Sequence, residues 1–131
     1  MLSSDGLLYV ADRDGKRIEV FDKMGNFKKN LFIPRRRPDL PGNGAPWWIL
    51  PSPDKSQEYL YVADGRDEMI WTVERDSGKA VSGFGRLGHM AGEFTYLHTI
   101  AMNSKGDLFT GETIGGRRVQ KFKWMGGALP Q

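Results

Sequence analysis

Leu8-Tyr9-Val10-Ala11-Asp12, Leu60-Tyr61-Val62-Ala63-Asp64 and Leu108-Phe109-Thr110-Gly111-Glu112 are three copies of one short unit. Their terminal acids stand 52 and 48 positions apart, and recurrence at a near-constant period of that size marks stacked supersecondary units. Around the first copy, Asp5-Gly6 is a turn, residues 7–11 read as a strand, 12–16 as a polar loop, 17–21 as a second strand and 26–32 as a third. The second copy repeats the order with strands at 59–63, 69–74 and 79–84, and the third with strands at 107–111 and 117–123. An extra strand precedes the second and third copies, at 47–50 and 98–102. The full unit is four antiparallel strands, a, b, c and d.

Strands such as Leu7-Leu8-Tyr9-Val10-Ala11 are apolar on both faces, whereas a sheet with one wet face alternates apolar and polar residues. Each small sheet must therefore be covered on both sides. Four-stranded sheets stacked face to face around an axis are the blades of a β-propeller. A β-sandwich also buries two sheets, but gives no reason for sequence identity at a fixed period. The expected architecture is all-β, about two and a half blades. Blade 1 spans about 5–33 without its strand a, a loop follows at 34–45, blade 2 spans about 46–85, and blade 3 about 97–124, with no clear strand d after Trp124-Met125-Gly126-Gly127. An open stack leaves two apolar sheet faces bare. The expectation is a fragment of a longer propeller or, second, a protomer that completes its ring by self-association.

The bulk properties agree. The 131 residues are 39% hydrophobic and 27% charged, an ordinary composition for one domain. Seventeen glycines and seven prolines leave no room for a long amphipathic helix. A net charge of +3 is too small for a dedicated nucleic-acid arm. With no cysteine, disulfides, thiol catalysis and thiolate zinc sites are excluded, while a reducing cytosol and a periplasm both remain open. No apolar run is long enough for a transmembrane helix, so no membrane partner is expected, and residues 1–5 lack the pattern of a signal peptide.

In an antiparallel blade the start of strand a and the end of strand b share one end of the sheet. That rule gathers Asp12, Arg13, Trp47, Asp64, Arg66 and Glu112 on one rim as candidate ligand-binding residues, with His98 as a possible metal ligand or acid/base. Arg13 and Arg66 read as anion clamps. The acids have a second reading: a carboxylate ending strand b can accept backbone N–H groups of its own b–c loop. His98 can equally be a packed rim histidine, since a catalytic zinc needs three protein ligands and His89, in a glycine-rich loop, is the only other imidazole. Trp47-Trp48 can stack on a ring or pack between blades. Arg35-Arg36-Arg37 lies in a connection long enough to suggest a functional insertion or is simply solvated; the acids on the same rim argue against a phosphate track, and nucleic acid is not the expected partner. No Ser-His-Asp spacing, Walker loop or His-Glu-x-x-His occurs. Residues 83–88 are glycine-rich but enter no helix, so they read as a linker between blades.

Gly6-Leu7-Leu8-Tyr9-Val10-Ala11-Asp12-Arg13 with Arg17-Ile18-Glu19-Val20-Phe21-Asp22, and Gly92-Glu93-Phe94-Thr95-Tyr96-Leu97-His98-Thr99-Ile100-Ala101-Met102 leading to Arg118-Val119-Gln120-Lys121-Phe122, resemble NHL repeats. The resemblance implies a six-bladed, TolB-like propeller and a binding scaffold for a small molecule, peptide or protein at the rim. Within that group the His98 segment and the Ala-Asp-Arg loop are most similar to bacterial relatives of peptidyl-α-hydroxyglycine α-amidating lyase. That similarity implies zinc (or calcium) in the central channel, held by histidines that precede innermost strands, a tyrosine after an Asp-Gly pair, and an extracellular or periplasmic setting. His98 falls on one such histidine position. Trp47 stands in the equivalent slot of the preceding blade, and Arg66 follows Asp64-Gly65 where the tyrosine would be. A metal-dependent lyase or hydrolase is thus the alternative to a non-catalytic scaffold.

Overall fold

The computed structural model describes residues 1–125, and among them there is no helix, so none is long and apolar enough to cross a membrane. Among the described residues ten strands form three antiparallel sheets. The first sheet is β1 (Leu8–Asp12), β2 (Arg17–Phe21) and β3 (Phe27–Leu31). The second is β4 (Pro46–Pro51), β5 (Tyr59–Asp64), β6 (Met69–Glu74) and β7 (Ala80–Phe84). The third is β8 (Leu97–Met102), β9 (Leu108–Glu112) and β10 (Val119–Phe122). Strands lie side by side in chain order within every sheet, the meander of a propeller blade. At the strand-a edge of the first sheet, Met1 exchanges two backbone hydrogen bonds with Tyr9 (2.8 and 2.9 Å), and Leu2 bridges Leu8. The expected lack of a strand d after Trp124-Met125-Gly126-Gly127 concerns residues that lie, from 126 on, outside those described.

The two-sided apolar pattern is realised as two cores, one on each face of the middle blade. Leu60, Val62 and Val73 pack with Tyr9, Ile18, Val20 and Leu31 of the first blade, all at most 3% exposed. On the same strands Ala63 and Ile70 turn the other way and pack with Leu97, Ile100 and Phe94 on the side of the third blade. The period-2 alternation of a strand thus serves both interfaces at once. Fully burying a side chain of this kind contributes roughly 1.5–3 kcal/mol, so both cores contribute to holding the blades together. On the outward face of the first blade Leu8 and Val10 are half-exposed, and on that of the third Val119 is exposed.

Of residues 83–88, the first two end β7 and the rest lead on towards β8 without entering a helix. Phe94 is fully buried and forms a ring cluster with Phe84 and Phe122, with centroids 5.1–6.1 Å apart. This cluster ties the segment between β7 and β8 to both blades.

Candidate functional site

Two β-bulges build the site. In the β4–β5 pair, Pro46 faces Asp64 and Trp48 faces Ala63, which leaves Trp47 as the extra residue. In the β8–β9 pair, Leu97 faces Glu112 and Thr99 faces Gly111, which leaves His98 extra at the same place one blade on. A bulge bends its strand and re-aims the unpaired side chain. Here it brings the indole and imidazole together across the blade boundary, edge to face, with ring centroids 5.5 Å apart and planes at 80°. The Arg13 guanidinium, from the b–c loop of the first blade, lies 5.1 Å from the Trp47 ring centroid, within cation–π range. Arg13, Trp47 and His98 thus form one row spanning three blades. Arg13 and His98 are exposed and Trp47 half-buried. From Trp47 a groove of ≈ 440 Å³ runs along β4, bounded by Trp48, Ile49, Tyr9 and Ala11.

Of the three acids of the repeat, Asp64 and Glu112 are buried and Asp12 is half-buried. Asp64 is fully buried; its Oδ1 accepts the N–H groups of Ala45 (2.9 Å), Arg66 (2.9 Å) and Asp67 (3.2 Å), and its Oδ2 accepts the Trp71 indole N–H (3.3 Å). Glu112 is buried, accepting the Thr95 N–H (2.8 Å), Arg118 Nε (2.7 Å) and Gln120 Nε2 (2.9 Å). Asp12 accepts the Gly15 N–H and Arg17 Nε, both at 2.9 Å. Asp12 and Asp64 accept N–H groups of their own b–c loops, the second of the two readings open at the sequence level, whereas the backbone donor to Glu112, Thr95, lies outside its b–c loop. Their titration separates accordingly. The Gly15 N–H and Arg17 lower the Asp12 carboxyl; burial pulls Glu112 upward, but Arg118 and the other donors outweigh it and leave it lowered. No guanidinium hydrogen-bonds Asp64, and burial raises it.

Arg66 leaves the row as well. Its Nη1 donates to the Asn43 carbonyl at 2.8 Å, and it borders a separate pocket with Arg36 and Arg37. The three consecutive arginines are not equivalent: Arg35 is 9% exposed and forms a bidentate pair with Asp67, 7% exposed, at 2.8 Å, whereas Arg36 and Arg37 are exposed. His89 stays on its loop, with Nε2 3.5 Å from Thr95 Oγ1.

Three residues that sequence reading passed over hold the rim together. Glu68, in the left-handed region at φ 53° and 7% exposed, accepts the N–H groups of Tyr96 (2.8 Å) and Leu97 (2.9 Å), so one carboxylate of blade 2 clamps the strand that presents His98. Burial raises its carboxyl. Arg118 and Gln120 bind Glu112 and the Glu93 carbonyl, fixing the 88–93 loop over blade 3. The signal for Glu68 was positional: Lys16, Glu68 and Arg117 all stand just before strand c and all have positive φ.

His98 is short of metal-binding company. Among the described residues no group of three or more His, Asp or Glu side chains is placed to hold a metal ion. The rim carboxylates Asp64 and Glu112 already accept N–H groups, so the described donors do not by themselves fit a zinc or calcium site.

Sheets of this size, stacked face to face with both sides of the middle one buried, define the chain as β-propeller blades. No protein-family model matches it. Among solved structures it is similar to a catalytically inactive histidine-to-alanine variant of virginiamycin B lyase from Staphylococcus aureus, crystallised with quinupristin. The TM-score is 0.60 and the identity 20%, over 95% of this chain and 40% of that one. The likeness establishes a propeller-type fold, and the chain spans 40% of the length of the structure it matches.

Proposed function

We propose that these blades act as a binding scaffold of the NHL-repeat type whose ligand, a small molecule or peptide with a flat ring and an acidic group, docks on the Arg13–Trp47–His98 row. The observation that carries this reading is the repeated bulge: two successive blades distort the same position to present an aromatic ring at the same rim. Bulges next to binding sites re-aim side chains in this way, and a rigid sheet carrying exposed loop residues is a general recognition surface. The half-exposed outward faces of the first and third blades are covered, on this reading, by further blades or by a second copy. The test is a nuclear magnetic resonance screen of aromatic acids and short peptides, read at the Trp47 indole and His98 ring signals. Ligands should shift both signals, and Trp47→Ala should abolish the effect. Ligands that all map elsewhere would remove this reading.

A lyase or hydrolase, including one of the amidating-lyase type, is the second reading. It is favoured by the exposed His98 imidazole on its bulge and by the likeness to a lyase whose inactive form carries a histidine-to-alanine change. Incubation with quinupristin, with and without added zinc, followed by mass spectrometry decides it: a product that disappears in His98→Ala supports catalysis, and unchanged substrate under every condition rejects that lyase activity.

A further inference from the structure

The pocket bordered by Arg36, Arg37 and Arg66, with Asp67 and Glu68 also in its lining, has a volume of ≈ 240 Å³ and takes its apolar walls from Leu40 and Leu87. It is separate from the Arg13–Trp47–His98 row. Its frame is fixed. Arg35 and Asp67 form a nearly buried bidentate pair, and the Arg36 N–H donates to the same carboxylate at 2.6 Å. Arg35 Nη1 also donates to the Pro41 carbonyl (3.1 Å), the Leu40 N–H closes a turn onto the Arg37 carbonyl (3.0 Å), and the Gly44 N–H closes the base of the loop onto the Ile33 carbonyl (3.1 Å). Arg66 holds the far side through Asn43. Loop 34–45 is therefore anchored onto the b–c loop of blade 2, and its exposed arginines sit on a preorganised support.

The charge left over is positive. Asp67 is neutralised by Arg35, and the buried Glu68 carboxylate faces the N–H groups of Tyr96 and Leu97. Arg37 is paired only with Asp39, both more than half exposed, an arrangement of little strength in water. Among the described residues the Arg36 guanidinium makes no hydrogen bond or ion pair, and the Arg66 guanidinium hydrogen-bonds only the Asn43 carbonyl, while its charge also acts on Asp67. Guanidinium groups bind carboxylates and phosphates through matched pairs of N–H donors.

We propose that this pocket binds a small organic anion, with Arg36 and Arg66 holding its carboxylate or phosphate and Leu40 and Leu87 contacting an apolar body. The volume lies below that of pockets for drug-sized ligands, which favours a compact monoanion or phosphate monoester over a polymer. The test titrates the full chain with benzoate, phenyl phosphate and benzylamine, following backbone amides by nuclear magnetic resonance. Either anion should give saturable shifts at 36–40 and 66–68, benzylamine should give none, and the tighter anion identifies the acid group. Arg36→Gln and Arg66→Gln, each with an unchanged melting temperature, should weaken the binding by about tenfold, the scale of one lost charge-assisted hydrogen bond. Absence of saturable binding by both anions, equal affinity in both variants, or shifts confined to the Trp47 and His98 rim would overturn the proposal.

Discussion

Trp47 and His98 are the same residue of successive blades: each is the extra residue of the bulge that opens strand a, and their rings meet edge to face at 5.5 Å. The equivalence is geometric and can be used. Trp47→His would place two imidazoles side by side on adjacent blades, close enough to share a zinc ion at Zn–N distances of about 2.0–2.1 Å. The variant should gain a zinc-dependent rise in melting temperature that the parent chain lacks, measurable by scanning fluorimetry. Absence of any zinc response would mean that the two positions do not converge.

Trp47→Ala tests the row from the other side. It removes an aromatic pair worth about 0.5–1.5 kcal/mol and a cation–π contact of about 0.5–1 kcal/mol at an exposed site. A loss of roughly 1–2 kcal/mol in chemical denaturation is expected, with Trp47→Phe recovering much of it.

Glu68 joins two blades through one side chain. Glu68→Ala strands the Tyr96 and Leu97 N–H groups, and Leu97 is fully buried. An unsatisfied buried donor costs about 1–3 kcal/mol, so the variant should lose at least about 2 kcal/mol. Glu68→Gln retains one acceptor oxygen and should lose less. Amide exchange at Leu97 should accelerate in Glu68→Ala well before exchange in the first blade does.

The fold was legible because it is repetitive. Strand order, the b–c loops and the rim gathering Trp47 with His98 follow from period and alternation alone, and the strands match expectation within about one or two residues. The site was less legible, because the same residue type at the same repeat position plays a role set by partners distant in sequence. Asp64 and Glu112 were candidates for the rim, but each lies buried beneath it, held by donors that include Ala45, Trp71, Thr95 and Gln120. Arg35 and Arg36 are adjacent in sequence, yet one is sequestered by Asp67, 32 residues away, and the other faces solvent. Backbone pattern carries no record of such pairings.

Acid should weaken the chain in a defined window. The Arg75 guanidinium with the Ser3 hydroxyl brings Asp5 down to about 2. Asp54 is pushed up by burial, but the Ser52 and Ser56 hydroxyls prevail and leave it at about 2, and Lys121 with the Trp124 N–H brings Asp107 to about 2. A carboxyl with a lowered folded value stabilises the fold above its unfolded value of about 3.9, and that contribution disappears as pH falls through the folded value. Stability should therefore drop between about pH 4 and 2, less steeply in Asp5→Asn. Asp64 and Glu68 act in the opposite sense, because burial raises both: their contribution is complete at low pH and is lost as pH rises through their folded values. Asp64→Asn should flatten that upper limb. Denaturation midpoints collected across the range check both slopes.

Two glycines with similar backbone conformations should respond differently to alanine. Gly85 has φ 106°, and a Cβ there would stand 2.5 Å from the Phe94 ring and 2.8 Å from the Glu68 carbonyl oxygen. Phe94 is fully buried within the ring cluster that ties the linker to β7 and β10, so it has no free space into which to retreat. Gly92 has φ 82° but nothing within 4 Å of its Cβ position. Gly92→Ala therefore carries backbone strain alone, about 1–2 kcal/mol for a left-handed alanine. Gly85→Ala adds overpacking of about 1–3 kcal/mol and displaces the loop that carries Glu68. It should lower the denaturation midpoint clearly more than Gly92→Ala, with the excess accompanied by faster amide exchange in β8. Equal effects of the two substitutions would show that the linker does not lock blade 2 to blade 3.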